Sequence, residues 1–475
     1  MVISPNLTSA IDLRNSHGLV AFGLIPSNAT ESTGDTIGGI GSAIALESFI
    51  PALDGTSFTG TLVVQPDRGF NVDETINYQG RQFAIDFTLK PYYGSAQLSF
   101  VDAQKTLQVK YRSTLLYTER NGTATTGLDA LGVRPSQPGF PSVAEADPEL
   151  PIANQTFNRL SLDLEGLVLT PDGSFWVSDE YGPYIYRFTA EGDLLQTIQP
   201  PEAILPMDDD GNLDFTSEED PDTGRAGNQG FEGLTVSTDG STLYALLQSA
   251  TIQDGGNKKS NARYTRLVAY DISNPLAGRP PLVSEWVVPL PLDSDGKTLG
   301  SSEMHFVSEN IFMVLARDGD GHGGDSNTAA YKHIDLISVA SATDLHGTSF
   351  DDPSNPIAKK GVLNNQIVPA TYAGFVDMLN STQLARFGLH NGDPADQTLI
   401  DAKWESIALA SVGDHRFPDD YFLFTASDND FISTQGISLG VPFNAGLDND
   451  NQFLVFRVTL PGAAIGDLPE QCKSI

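Results

Sequence analysis

The residues of this chain best equipped for chemistry are carboxylates at recurring positions. Glu165, Glu232, Glu303 and Glu405 each open a short apolar run that passes through a turn into a second apolar run. Each second run ends in polar residues: Asp179 and Glu180, then Gln248, then Arg317 and Asp318, then Asp428 and Asp430. A degenerate earlier copy ends in Asp67-Arg68, and Lys403 stands just before the last of the four glutamates. Brought together, so many carboxylates cannot all ionise without a counter-charge. A hard cation with oxygen ligands is one solution, and Ca2+ suits it better than Mg2+ because it tolerates more ligands and looser geometry. The candidate metal ligands are Glu165, Asp179, Glu180, Glu232, Glu303, Asp318, Glu405, Asp428 and Asp430. The alternative is structural, each glutamate accepting backbone N–H bonds within its own unit.

The elements that would have to position these groups are β-hairpins. The runs are short, β-branched or aromatic, and joined by Asp-Gly, Glu-Asn or Pro-Asp turns. Successive glutamates lie 67, 71 and 102 residues apart, which suits one four-stranded propeller blade for each of the first two intervals and a blade plus an insertion for the third. The expected fold is therefore all-β: a β-propeller of six four-stranded blades, with five to seven admissible. A short helix is expected around Ala373 to Phe387, in the insertion near 370–388. Strands are also expected at 82–89, 96–100 and 107–111, and the run at 453–460 is placed to close the ring beside an N-terminal strand. Two stacked sandwiches are the rival architecture, but they give no reason for the same Glu-led hairpin to recur. The expected division is an N-terminal segment (1–34), one propeller domain (35–460) and a C-terminal tail (461–475).

These motifs resemble a known family. Asp163-Leu-Glu165-Gly-Leu followed by Val177-Ser-Asp179-Glu180-Tyr-Gly-Pro-Tyr-Ile-Tyr-Arg187-Phe is similar to the hallmark of the phytase-like propellers, described as having esterase-like activity of phytase. Asn228-Gln-Gly-Phe-Glu232, Lys403-Trp-Glu405 with Ser427-Asp428-Asn429-Asp430-Phe431, and Asp67-Arg68-Gly69 resemble other blades of that family in the same order. Two positions depart from it: Ala316 before Arg317, where an acidic residue is expected, and Ser406, where glycine is usual. The resemblance implies a propeller that hydrolyses phosphate or other esters. In a propeller the starts of the inner strands converge on the central channel, so a metal-assisted hydrolysis would draw on Glu165 or Glu232 as general base. Arg68, Arg317 and Lys403 would stabilise developing negative charge. An esterase or lactonase of non-phosphate esters, and a non-catalytic binding propeller, are the alternatives.

The rest of the sequence narrows the setting. A net charge of −34 disfavours nucleic acid and anionic membranes as partners, leaving a small-molecule ester or phosphoester and a monomeric protein as the expectation. Five Asn-x-Ser/Thr sequons, at Asn6, Asn28, Asn121, Asn154 and Asn380, sit in polar surroundings and suggest a secreted glycoprotein. A single cysteine, Cys472, excludes an intrachain disulfide. A signal peptide has been removed or never existed, since no charged and apolar leader follows Met1. No His-x-x-x-His pair, Gly-x-Ser-x-Gly elbow or P-loop is present, which argues against zinc, covalent serine and P-loop chemistry. Two acidic loops, at 208–214 and 318–325, are secondary cation candidates; the first reads better as a solvated loop.

Overall fold

The computed structural model describes residues 18–53, 55–70, 74–138 and 146–464. Among the described residues the strands form five antiparallel sheets the size of a propeller blade, along with three two-stranded ribbons. Blade I runs through Ala43–Pro51, Phe58–Gln65, Arg81–Leu89 and Leu107–Leu116. Blade II uses Leu164–Leu169, Phe175–Asp179, Ile185–Phe188 and Leu194–Ile198, and blade III uses Phe231–Val236, Thr242–Leu247, Tyr264–Asp271 and Leu282–Pro289. Blade IV is Gly300–Ser308, Ile311–Arg317, Lys332–Ser338 and Thr371–Asp377. In blade V the inner strand is broken into Lys403–Trp404 and Ala408–Ser411, both paired with Asp420–Asp428. Asn451–Thr459 follows, and Gly18–Ile25 is the outermost strand.

The count is five, at the lower edge of the expected range and one below the preferred six. The N-terminal strand Gly18–Ile25 pairs with Asn451–Thr459 and completes the last blade, the closure expected of the run at 453–460. That strand lies inside the stretch set apart as an N-terminal segment. The insertion also differs in detail. Thr371–Asp377 is the outer strand of blade IV, and the helix is confined to Ser381–Arg386, capped by the Asn380 side chain accepting from Gln383 N–H. Residues 96–100 form no strand; a one-turn helix, Phe100–Ala103, takes their place.

What holds the ring together is a hydrophobic seam between every pair of adjacent blades. Each seam buries side chains from two neighbouring sheets, and the five seams together close the circle. The seam between blades V and I is rich in aromatics: Phe49, Phe58, Phe87, Phe422 and Phe424 pack with Phe58 and Phe422 centred 5.0 Å apart, edge to face. Burying a large aromatic contributes about 1.5–3 kcal/mol, so this cluster fastens the first blade to the last. Near the axis the blades approach so closely that side chains are excluded. A Cβ on Gly166 would come within 2.4 Å of Leu234 Cβ, and one on Gly233 within 2.8 Å of Met304. The recurring Glu-Gly pair is thus half chemistry and half packing. At Ser406, where the glycine is missing, the hydroxyl bonds the backbone of Ala426 instead.

Candidate active site in the central channel

At the start of the inner strand in blades II, III and IV the ladder carries an extra residue, and that bulge turns a side chain toward the axis. In blade III the extra residue is Glu232, between Phe231 and Gly233. Glu165 occupies the shifted stretch between Leu164 and Leu167 of blade II, and the broken inner strand of blade V carries Glu405. Bulges re-aim side chains in this way beside many functional sites. In blade IV the extra residue is Ser302, not Glu303. The third copy of the repeat is therefore displaced by one position, and Glu303 stands where its neighbours carry glycine. Its Oε1 accepts the backbone N–H groups of Leu234 and Met304 at 3.1 and 2.7 Å, the structural role considered as an alternative for all four glutamates.

Two acidic groups form. Asp163, Glu165 and Glu180 each place an oxygen within 4.8 Å of the others, and all three are buried. Asp67, Asp428 and Asp430 form the second group. The second already holds a cation: Lys403 Nζ lies 2.5 Å from Asp428, 2.8 Å from Asp430 and 3.6 Å from Glu405. To return Asp430 to the lysine, the chain adopts left-handed backbone at both Asp430 (φ 50°) and Phe431 (φ 55°), an uncommon conformation retained at functional sites. Asn429 fixes this turn by accepting from Gly39 and Phe431 N–H.

The first group has less compensation. Arg68 pairs with Asp163 at 3.2 Å, and Arg317 pairs with Glu405. Gln248 donates to one oxygen of Glu232. Glu165 Oε2, Glu180 Oε1 and Glu232 Oε2 are buried with no hydrogen-bond partner among the described residues. Burial, followed by repulsion from Glu232, Glu180 and other carboxylates, pushes Glu165 well above the ordinary carboxylate range. Glu180 is raised by burial and then by Glu232. Glu232 is pushed up to about 8 by burial and Glu405, against the pull of Arg317 and Gln248. Asp428 is pushed up to about 7 by burial, which the Lys403 ammonium only partly offsets. Buried carboxylate oxygens with no donor demand either protons or a cation, and an all-oxygen donor set of this kind fits Ca2+.

The remaining sequence candidates lie outside these groups. Asp179 turns away from the axis and accepts from Asp163 and Gly182 N–H at 2.8 and 3.1 Å, fixing the turn after its strand. Asp318 accepts from Tyr331 N–H and meets the buried Lys332 ammonium at 3.2 Å. Asp208 accepts from the backbone of Asp210 and Asn212 in an exposed, self-contained turn. Asn28, Asn121, Asn154 and Asn380 are exposed; Asn6 lies outside the described residues. Among residues not singled out as candidate ligands, Asp163 carries the clearest signal. It stands two before Glu165 at a strand start, the period that puts two side chains on one face. Gln248, Arg317 and Asp428 occupy matching places at the ends of the second strands, opposite the residues that begin the inner ones.

Comparison with known proteins agrees with this geometry. A relative from Arthroderma benhamiae, described as an uncharacterized secreted protein, is 40% identical over 467 residues, covering 89% of this chain and 88% of its own. Solved structures overlap only loosely. A luciferin-regenerating enzyme matches 91% of this chain and 95% of its own at 11% identity and a TM-score of 0.29. The hydrazine synthase of Kuenenia stuttgartiensis matches 84% and 80% at 11% identity and 0.30. Scores this low bear on neither fold nor activity. The phytase-like profile, esterase-like activity of phytase, matches residues 50–431, a span that takes in both acidic groups and the inner strands of blades II to V, and the chain belongs to that family.

Proposed function

We propose that this protein is a secreted hydrolase of ester bonds, phosphate esters foremost, acting at the acidic end of its channel with Ca2+ held by Asp163, Glu165 and Glu180. The observation that carries this reading is the set of buried, unpartnered oxygens on Glu165, Glu180 and Glu232. Bound there, the ion supplies counter-charge and Lewis-acid activation of the ester. The chain's own groups divide the remaining work. Glu232, anchored through one oxygen by Gln248, keeps the other open to take a proton from an attacking water. Arg68, paired with Asp163, and Arg317, paired with Glu405, present N–H donors to the developing negative charge. Lys403 offsets part of the charge of Asp428 and Asp430, so the second acidic group repels the first less than it would alone. Secretion accords with the description of the Arthroderma relative.

A second reading, hydrolysis of carboxylic esters or lactones, is favoured by one feature. Arg68, Arg317 and Lys403 each already face a carboxylate, so the protein by itself offers a phosphate no net positive charge. Phosphate release from a panel of phosphoesters, including phytate and polyphosphate, tests the first reading when run with added Ca2+ and again with EDTA. Release that requires Ca2+ supports it. Acid release from neutral esters or lactones without phosphate release favours the second, and saturable Ca2+ binding with no turnover of either class means a binding propeller.

A further inference from the structure

The opposite end of the channel is a different environment. Below the carboxylates the inner strands enclose a cavity of about 600 Å3, within the range that holds small organic ligands. Its walls take an apolar side chain from every blade: Ile44, Leu167, Leu234, Met304 and Ile407. It extends between blades II and III to Trp176 and Arg187. Arg187 is only 5% exposed. Its Nε donates to Ser174 Oγ at 3.0 Å, one Nη reaches Asp172 at 2.9 Å, and its guanidinium lies over the Trp176 ring at 5.4 Å. The other nitrogen, Nη1, is buried without a partner among the described residues. A buried guanidinium N–H with no acceptor is costly; Arg187 lines this wall of the cavity, and a small turn of its side chain would bring Nη1, now covered, to an acceptor there.

The charge balance selects the acceptor. Asp172 already matches the guanidinium, and the other acidic groups on the lining are Asp239 and Glu303. The only further titratable group there, His305, holds its ring Nδ1 against its own strand at Phe306 O. An anionic ligand would meet three carboxylates and no spare cation, whereas a neutral carbonyl needs only the donor. We infer that the lower channel binds a neutral, largely aliphatic molecule ending in a carbonyl group, with its oxygen taken by Arg187 Nη1 and its chain lying along the apolar channel wall. This site is separate from the acidic one and does not depend on the hydrolytic reading.

Calorimetric titration with 2-dodecanone and, separately, dodecanoate tests the inference, with EDTA present to keep the acidic end free of metal. The ketone is expected to bind one per chain with a dissociation constant on the order of tens of micromolar, and dodecanoate about tenfold or more weakly. Arg187→Met should weaken ketone binding about tenfold, the effect of one lost hydrogen bond in a dry site. Ala45→Phe, which places a ring in the cavity from a half-exposed position, should abolish it and serves if the arginine variant fails to fold. No saturable ketone binding, tighter binding of dodecanoate, or unchanged binding by Ala45→Phe would overturn the inference.

Discussion

Glu165 and Lys403 show how differently two members of one ring can be stabilised. Glu165 is buried among carboxylates with one oxygen unpartnered, so as an anion it depends on a cation that the protein does not itself supply. Replacing it by glutamine should lower metal-dependent ester turnover by a factor of about 10² or more, in line with loss of one preorganised electrostatic group. The same change should raise thermal stability in EDTA, because a source of repulsion is gone; activity and unfolding measured on one preparation would show both. Lys403→Met reverses the logic. Burial works to lower the Lys403 ammonium, but Asp428, Asp430 and Glu405 overcome it and hold the charge. Without it, Asp428 and Asp430 are left uncompensated, at a cost of about 3–5 kcal/mol, which chemical denaturation in EDTA would report. Added Ca2+ should recover much of the loss, and calorimetry should then count one more bound ion than in the wild type. At this scale the sequence was readable where repetition marked it. Glu165, Glu232 and Glu405 stand at corresponding places, whereas the one-residue displacement of Glu303 depends on where a bulge falls, and a pattern of apolar residues does not encode that.

Inner strands place these groups through two devices, a bulge that turns the glutamate toward the axis and a glycine that lets the next blade come close. The second is testable without touching the chemistry. Gly166→Ala should destabilise the fold by about 1–3 kcal/mol, since the new methyl meets Leu234 Cβ and backbone in a packed seam. Equilibrium denaturation would measure it, and a neutral result would mean that blades II and III can part without cost. The hairpins themselves were legible, because Asp-Gly turns and β-branched runs are local signals: the first two strands of blades II and III lie where those signals put them. The outer strands were harder to read. Thr371–Asp377 looks helical because its apolar residues can be fitted to either period, and it becomes a strand only by pairing with Lys332–Ser338. Gly18–Ile25 pairs with Arg457 through Asn451 at the far end of the chain. The apolar run at 453–460 does announce closure beside an N-terminal strand, but no local pattern fixes the blade count, which at five falls in the expected range of five to seven.

Closing the ring with both ends of the chain makes the channel a property of the whole molecule, and so is the cost of the acidity gathered there. Burial raises Glu232 to about 8 and Asp428 to about 7 in the channel, and Glu285, paired with Arg266 on the outer strand of blade III and away from the channel, also to about 7. A carboxyl whose folded value lies above its unfolded one, near 4, contributes stability that is full below the unfolded value. That contribution is lost as pH rises through the folded value. His305 and His322 are pushed down by burial and tilt the balance the other way, but only below about pH 6.5. Lys332, lowered to about 8 by burial, does so only above that pH. Between pH 6.5 and 8 the carboxylates therefore decide the slope, and the metal-free protein should become less stable as pH rises. Thermal unfolding in EDTA should show the midpoint falling by a few degrees across this window. Excess Ca2+ should flatten or reverse the fall, since a cation replaces the departing protons and binds more tightly as they leave. A midpoint in EDTA that stays level or climbs from pH 6.5 to 8 would mean that the carboxylates are already ionised and compensated by protein groups alone, and the argument for a metal at this end of the channel would fall with it.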